Sequence, residues 1–138
     1  MTTPLALAAL PPAPPTLGGR LCPSISEPLY RDLCAWLLEL YPQEPTSEVL
    51  VYTFARNLLL LGALFAGKQR DYGPDNIVAL GEDGVRKQLM VKLLRLQHLE
   101  GKEAVNEAKD DSWLDAADYG LIGYMVHRGE WPHSFVGI

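Results

Sequence analysis

The sequence has few of the residues that build metal centres or nucleophilic hydrolases. Its two cysteines, Cys22 and Cys34, lack the Cys-x-x-Cys spacing of a zinc site, and its three histidines do not cluster. A Gly-x-Ser-x-Gly motif and a Gly-rich P-loop are also missing. The sequence therefore gives no support to a zinc site or to hydrolysis through a serine or cysteine nucleophile.

Basic residues are scarce relative to acidic ones. The 138 residues include 12 Lys and Arg against 17 Asp and Glu, a formal net charge of −5. This balance argues against non-specific nucleic-acid binding, but it allows a small basic pocket for a phosphorylated ligand.

Long apolar runs are missing as well. The longest one, Leu58–Ala66, is too short to cross a bilayer, and the run Leu5–Leu10 lacks the basic residues of a signal peptide. The two cysteines fit free thiols in a reducing compartment. We therefore expect a soluble, cytoplasmic protein without membrane contacts.

Apolar residues at helical spacing predict an all-α protein with about four main helices and no strand. The helices are predicted from about Glu27 to Tyr41, from after Ser47 to Gln69, from Val85 to Glu100 and from Asp111 to His127. Residues 70–76 form a predicted polar connection, which a short apolar patch, Ile77–Leu80, follows. Short loops between helices of this length indicate an antiparallel helical bundle.

The domain organisation follows from the same pattern. Residues 1–23, rich in Pro and Ala, are predicted to be a flexible tail, and residues 24–138 a single helical domain. The second helix is apolar nearly all round, which is typical of a central helix or a subunit interface. We therefore expect a homo-oligomer.

Two carboxylates interrupt the apolar stripe of the fourth helix. Asp115 and Asp118 share one sector with Leu114, Ile122 and Met125. A carboxylate on a core-facing stripe is costly unless it is paired, hydrogen-bonded or bound to a metal. The third helix supplies possible partners, because Lys92 lies within its predicted buried stripe of Val85, Leu89, Leu93 and Leu96, with Arg95 on the flank. A structural ion pair and a functional site both explain this arrangement.

Further candidate ligand-binding residues lie in and after the second helix. Arg56 needs a carboxylate or a phosphate in such an apolar helix, so it is either an ion-pair partner or a phosphate contact. The sequence Lys68 to Asn76 combines basic side chains with the aromatic Tyr72 and the amide of Asn76, which are suited to holding a nucleobase. The helix dipole alone also explains basic residues at a helix end.

The stretch from Lys68 to Trp131 resembles the nucleotide modification associated domain family of phages and bacteria, which is similar to MazG-type all-α nucleotide pyrophosphatases. Motifs in a common order carry this resemblance: Lys68-x-x-Asp71-Tyr72-Gly73, Gly81 and Gly84, Arg86-x5-Lys92-x-x-Arg95-Leu96, Asn106-Glu107, Asp115-x-x-Asp118-Tyr119 and Arg128-Gly129-Glu130-Trp131. About half of the chain is covered.

The resemblance implies a nucleotide ligand, oligomeric assembly and, in the related pyrophosphatases, Mg²⁺ held by carboxylates. Asp115 and Asp118 would be the catalytic and metal-binding acids. Together with Arg56, which lies before the matched stretch, the candidate phosphate and base contacts are a larger set: Arg56, Lys68, Asp71, Tyr72, Asn76, Arg86, Lys92 and Arg95. The first acidic pair of those enzymes is missing here, because the second helix carries only Glu48 at its start.

Three functions compete on these observations. The first is a phage-type nucleotide-binding protein that acts as a metal-dependent nucleotide pyrophosphohydrolase. The second is a sponge that captures a nucleotide or a cyclic-nucleotide immune signal without turnover, an anti-defence role in a bacterial host cell. The third is a helical oligomerisation module whose buried charges specify the partner.

Overall fold

The computed structural model of the chain describes residues 24–40, 45–106 and 108–132, and also residues 16–17 and 20–21. Most of these residues belong to four helices, α1 (Glu27–Leu40), α2 (Pro45–Tyr72), α3 (Asp75–His98) and α4 (Lys109–His127). The predicted all-α class is confirmed.

The chain divides into two compact units, residues 1–63 and 64–138. The helix α2 begins in the first unit and ends in the second. The single domain predicted for residues 24–138 stays a prediction.

The tail predicted for residues 1–23 lies outside the described residues, apart from a short pair of strands. β1 (Thr16–Leu17) and β2 (Arg20–Leu21) pair antiparallel, with Thr16 opposite Leu21 and Leu17 opposite Arg20. Strands of two residues are too short to show the alternation of apolar and polar residues that identifies a strand in a sequence.

The first unit has a core built from α1 and the first half of α2. Its buried residues include Tyr30 and Cys34 from α1 and Tyr52 and Ala55 from α2. The Tyr30 hydroxyl donates a hydrogen bond of 2.8 Å to the Tyr52 carbonyl oxygen. Burial raises the pKa of Tyr30 to about 12, so this hydroxyl stays a donor at physiological pH.

The second unit has its own core, built from α3, α4 and the segment after α4. Ile77, Val85, Ile122 and Trp131 form its cluster of buried apolar residues. The Trp131 indole N–H donates a hydrogen bond of 3.1 Å to the carbonyl oxygen of Pro74, which ties the end of this unit to the start of α3.

The helices α3 and α4 pack as an antiparallel pair. Side-chain contacts join Glu82 to His127 near the first turns of α3, and Arg95 to Ser112 near its last turns. Residues near the start of α3 therefore lie beside residues near the end of α4, and the reverse holds at the other end, as the predicted antiparallel bundle requires for these two helices. This packing brings Lys92 opposite Asp115.

The region between the second and third helices differs from the predicted elements. α2 continues past Gln69 to Tyr72, and α3 begins at Asp75, so the connection shrinks to two residues and the patch Ile77–Leu80 is helical. Gly81 interrupts α3 with φ 65° and ψ −177°, a left-handed conformation that glycine adopts readily. Because of this break, the sequence pattern indicates a helix only after it.

One predicted buried residue of α3 is exposed. Val85 is buried and Leu89 and Leu96 are half-buried, but Leu93 is 48% exposed, so its predicted burial is wrong. The inward position at this level of the helix belongs to Lys92, because Val85 and Lys92 are two turns apart on the same face.

The apolar character of α2 extends beyond its longest contiguous apolar run. In the part of the chain that the structure describes, Glu48–Tyr72 is the one helix long and apolar enough to cross a membrane, judged by length and composition. Of its most apolar stretch of 18 residues, 28% is buried. Core helices of soluble proteins pass the same criterion, so this property alone does not assign a location.

Candidate functional site

A cavity of about 380 Å³ lies in the second unit, where the end of α2 meets α3 and α4. Its volume is within the range of small-molecule binding sites. The lining combines two lysines, two aspartates, two tyrosines, two side-chain amides and two isoleucines: Lys68, Gln69, Tyr72, Asn76, Ile77, Lys92, Asp115, Asp118, Tyr119 and Ile122.

An ion cluster of two lysines around one carboxylate forms one wall of the cavity. The Lys68 Nζ donates to Asp115 Oδ1 at 2.5 Å, and the Lys92 Nζ lies 3.1 Å from Asp115 Oδ2. The side chain of Asp115 is only 13% exposed, whereas those of Lys68 and Lys92 are 33% and 22% exposed. The predicted pairing of Lys92 with an acid of α4 is therefore confirmed for Asp115, and Lys68 is a second partner.

The ion pairs favour the charged forms of Asp115 and Lys68 despite the burial of these two groups. Burial by itself raises the pKa of Asp115, but the hydrogen bonds from Lys68 and Lys92 outweigh it, and the pKa lies below its usual range. For Lys68, burial acts to lower the pKa and the Asp115 carboxylate outweighs it, so this pKa is raised. Both shifts favour the charged forms.

Asp118 lines the same cavity in a different environment. The residue is 6% exposed, and the structure gives its carboxylate no hydrogen bond from any described residue. Burial raises its pKa, Lys68 counteracts this effect and Asp115 adds to it. Asp118 is thus a largely buried acid that lines the cavity and accepts no hydrogen bond from the described part of the chain.

The donor set of the cavity does not suit a resident divalent cation. Both oxygens of Asp115 face lysine ammonium groups, which repel a cation at those oxygens. Asp118 is the remaining carboxylate of the cavity, so most of the six oxygen ligands of a Mg²⁺ ion there would have to come from water or from a ligand. Among the residues that the structure describes, no group of three or more His, Cys, Asp or Glu side chains could hold a metal ion.

Six of the predicted site residues come together in this cavity. They are the two aspartates with Lys68, Tyr72, Asn76 and Lys92.

Four others lie elsewhere. Arg86 is exposed and pairs with Asp83 on its own helix, and Asp71 is exposed near the end of α2. Arg95 donates to the Ser112 hydroxyl at 2.5 Å. Arg56 belongs to the first unit.

Four cavity residues are absent from the predicted set: Gln69, Ile77, Tyr119 and Ile122. Helical spacing carries a signal for two of them, because Tyr119 lies four residues after Asp115 and Ile122 four residues after Asp118. Ile77 lies in the segment that the sequence pattern does not show as helix.

Comparisons with known proteins found no relative of this chain. No protein-family model matches the sequence, and no curated protein or solved structure matches it either.

Proposed function

We propose that the cavity between α2, α3 and α4 binds a nucleotide. The observation that carries this proposal is the convergence of Lys68 and Lys92, from two different helices, on one buried carboxylate at the cavity wall. Two lysine ammonium groups fixed at one place form a binding site for a phosphate group.

The geometry of the ion cluster supports phosphate binding. Each lysine ammonium group has three N–H donors, and its pairing with Asp115 uses one of them. The others can donate to phosphate oxygens. Because Asp115 holds both lysines in place, the protein loses little side-chain entropy when the anion binds.

The remaining lining supports a ligand with an aromatic base. Tyr119 is half-buried in the cavity, and Tyr72 is exposed at its edge. Both rings offer a flat apolar surface against which a base can stack. The Asn76 Oδ1 accepts a hydrogen bond of 2.9 Å from the backbone N–H of Ile77, which leaves the amide nitrogen of Asn76 to donate to the ligand.

Within this proposal, the ion pairs favour capture of an intact nucleotide over its hydrolysis. In the enzymatic alternative, Asp115 and Asp118 would bind Mg²⁺ and so activate the attack of water. Two ammonium groups beside the oxygens of Asp115 oppose that role. A capture protein of this kind would act in the cytoplasm, where its ligand is found, and in a bacterial host if it is phage-encoded.

A binding and turnover assay tests the proposal. The full chain is incubated with nucleoside mono-, di- and triphosphates and with cyclic nucleotides, each with and without Mg²⁺, and its melting is followed. At about 100 times its Kd, a ligand adds roughly 2.7 kcal/mol of stability. Chromatography of the heat-released material then distinguishes intact ligand, which indicates capture, from metal-dependent products, which indicate an enzyme.

Two matched lysine and arginine variants locate the site. Lys92→Gln should raise the Kd about 10- to 100-fold, because a hydrogen bond to a charged group contributes about 1.5–3 kcal/mol. Arg86→Gln removes an exposed cation from the same helix outside the cavity and should leave the Kd unchanged. If no nucleotide raises the melting temperature, or if both variants weaken binding equally, the proposal is wrong.

A further inference from the structure

The inference concerns Asp118 and rests on the proposed function. The residue is 6% exposed and lines the cavity, and its carboxylate receives no hydrogen bond from the residues that the structure describes. Its oxygens are not among the fully buried polar atoms without a partner, so they are open to the cavity, where a ligand can supply donors to them. The bound molecule should therefore present hydroxyl or N–H groups to Asp118.

The position of Asp118 relative to the ion cluster limits where those donors can be. Asp115 and Asp118 are three residues apart on α4, so their Cβ atoms are about 5–6 Å apart on one face of the helix. An anion held by Lys68 and Lys92 thus lies beside Asp118. In a nucleotide, the groups that lie beside the phosphate and carry donors are the hydroxyls of the sugar, whereas the donor edge of the base is farther away.

We propose that Asp118 is the specificity determinant of the cavity and accepts hydrogen bonds from the hydroxyls of a ribose, so that the site selects ribonucleotides over 2′-deoxyribonucleotides. A carboxylate accepts two hydroxyl hydrogen bonds well, since it has two oxygens and no donor of its own. A site built to hydrogen-bond a hydroxyl discriminates strongly against the analogue that lacks it, because its buried polar group is then left unpaired.

The roles of the two acids are separate in this arrangement. Asp115 positions both lysines for the phosphate, and Asp118 contacts the sugar. Removal of a lysine should therefore lower the affinities for ribonucleotides and deoxyribonucleotides by the same factor. Removal of the Asp118 carboxylate should weaken the binding of ribonucleotides more than that of deoxyribonucleotides.

Paired affinity measurements on the full chain test this separation. Isothermal titration calorimetry compares ATP, GTP, CTP and UTP with their 2′-deoxy counterparts. For the base that binds best, we expect the ribonucleotide to bind about tenfold more tightly or better. In Asp118→Ala this ratio should fall towards one, because the ribonucleotide loses the hydrogen bond from its 2′-hydroxyl, which the deoxyribonucleotide never makes.

Two control variants make the readout specific to Asp118. Asp110→Ala removes the same formal charge from an exposed position in the first turn of α4 and should keep the wild-type ratio. Lys92→Gln should lower both affinities and also keep the ratio. Circular dichroism verifies that each variant is folded, and the wild-type ratio is informative by itself if Asp118→Ala does not fold.

The outcomes separate this inference from the proposed function. Equal or tighter binding of the 2′-deoxy form to the wild type overturns the inference and leaves nucleotide binding standing. A ribonucleotide preference that persists in Asp118→Ala overturns it as well. If no nucleotide of either series binds, the proposed function fails and the inference fails with it.

Discussion

The ion cluster predicts that one carboxylate contributes strongly to the stability of the second unit. Replacement of Asp115 by Asn removes the negative charge between Lys68 and Lys92 and leaves two ammonium groups close together in a largely buried place. The shape of the side chain is nearly unchanged. The variant therefore reports the electrostatic contribution with little change in packing.

The magnitude follows from the burial of the cluster. Removing one partner of a fully buried ion pair costs about 3–5 kcal/mol, whereas an exposed pair contributes about 0–1 kcal/mol. Asp115 is 13% exposed and its partners are partly exposed, which places the loss between these limits. We expect Asp115→Asn to lower the free energy of unfolding by about 2–3 kcal/mol.

Urea denaturation measures this loss, and a matched carboxylate serves as control. Asp83 also holds two cations, Arg86 and Lys87, but its side chain is 62% exposed. Asp83→Asn should therefore change stability very little. Replacing the exposed Trp36 and Trp113 by Phe in all variants leaves the buried Trp131 as the fluorescent reporter of the second unit. Those two substitutions remove no core side chain.

The contribution of Asp115 to stability should depend on pH, and the direction of this dependence follows from the pKa of its carboxyl group. The pKa of Asp115 is lower in the folded chain than in the unfolded chain, so its contribution is present above the unfolded pKa and is lost as the pH falls through the folded pKa. The difference between wild type and Asp115→Asn should be constant from about pH 5 to 8 and shrink below about pH 4. If Asp115→Asn costs no more than Asp83→Asn, the reasoning about the cluster is wrong.

Two further predictions concern the backbone and the surface. Gly81→Ala should destabilise the chain by about 1 kcal/mol, because Gly81 has φ 65°. Gly62→Ala, within α2 and with open space at its Cβ, should stabilise the chain by about 0.5–1 kcal/mol. Thermal unfolding compares the two variants, and equal effects would contradict the assignment of the helix break to Gly81. Leu50, Phe54 and Leu58 form an exposed apolar stripe on α2, and the predicted homo-oligomer would bury it. Phe54→Lys should then lower the mass measured by sedimentation equilibrium, while a wild-type monomer would refute the oligomer.

Much of the fold could be predicted from the sequence because the helices are long and their ends are marked. Gly129, just after α4, has a positive φ, which is typical of the residue that ends a helix. The start of α3 could not be predicted, because Gly81 breaks its pattern after the first turns and these turns resemble a loop. The exposure of Leu93 was missed for a related reason, since an apolar side chain beside Lys92 takes the outward position when the lysine is paired.

The candidate site was predictable where an inward polar residue had to find a partner. Lys92 and Asp115 each lie on a stripe that faces the other helix, so their pairing follows from antiparallel packing. Lys68 is different, because the sequence around it allows both a ligand contact and a helix-end role and does not predict its pairing with Asp115. Its place at the cavity depends on how the end of α2 packs, which periodicity does not encode. Arg86 was a candidate phosphate contact in the sequence, but it pairs with Asp83 three residues earlier on its own helix and does not line the cavity.

Chemical-shift mapping by NMR tests the central claim most directly. A uniformly labelled chain is titrated with the nucleotide that gives the largest melting shift, and backbone and side-chain resonances are followed. Binding in the cavity predicts that the largest changes occur at Tyr72, Asn76, Tyr119 and Ile122, and that Lys92→Gln needs about 10- to 100-fold more nucleotide to reach the same changes. Changes centred on Arg56, or saturable binding without changes at the cavity, would contradict the account.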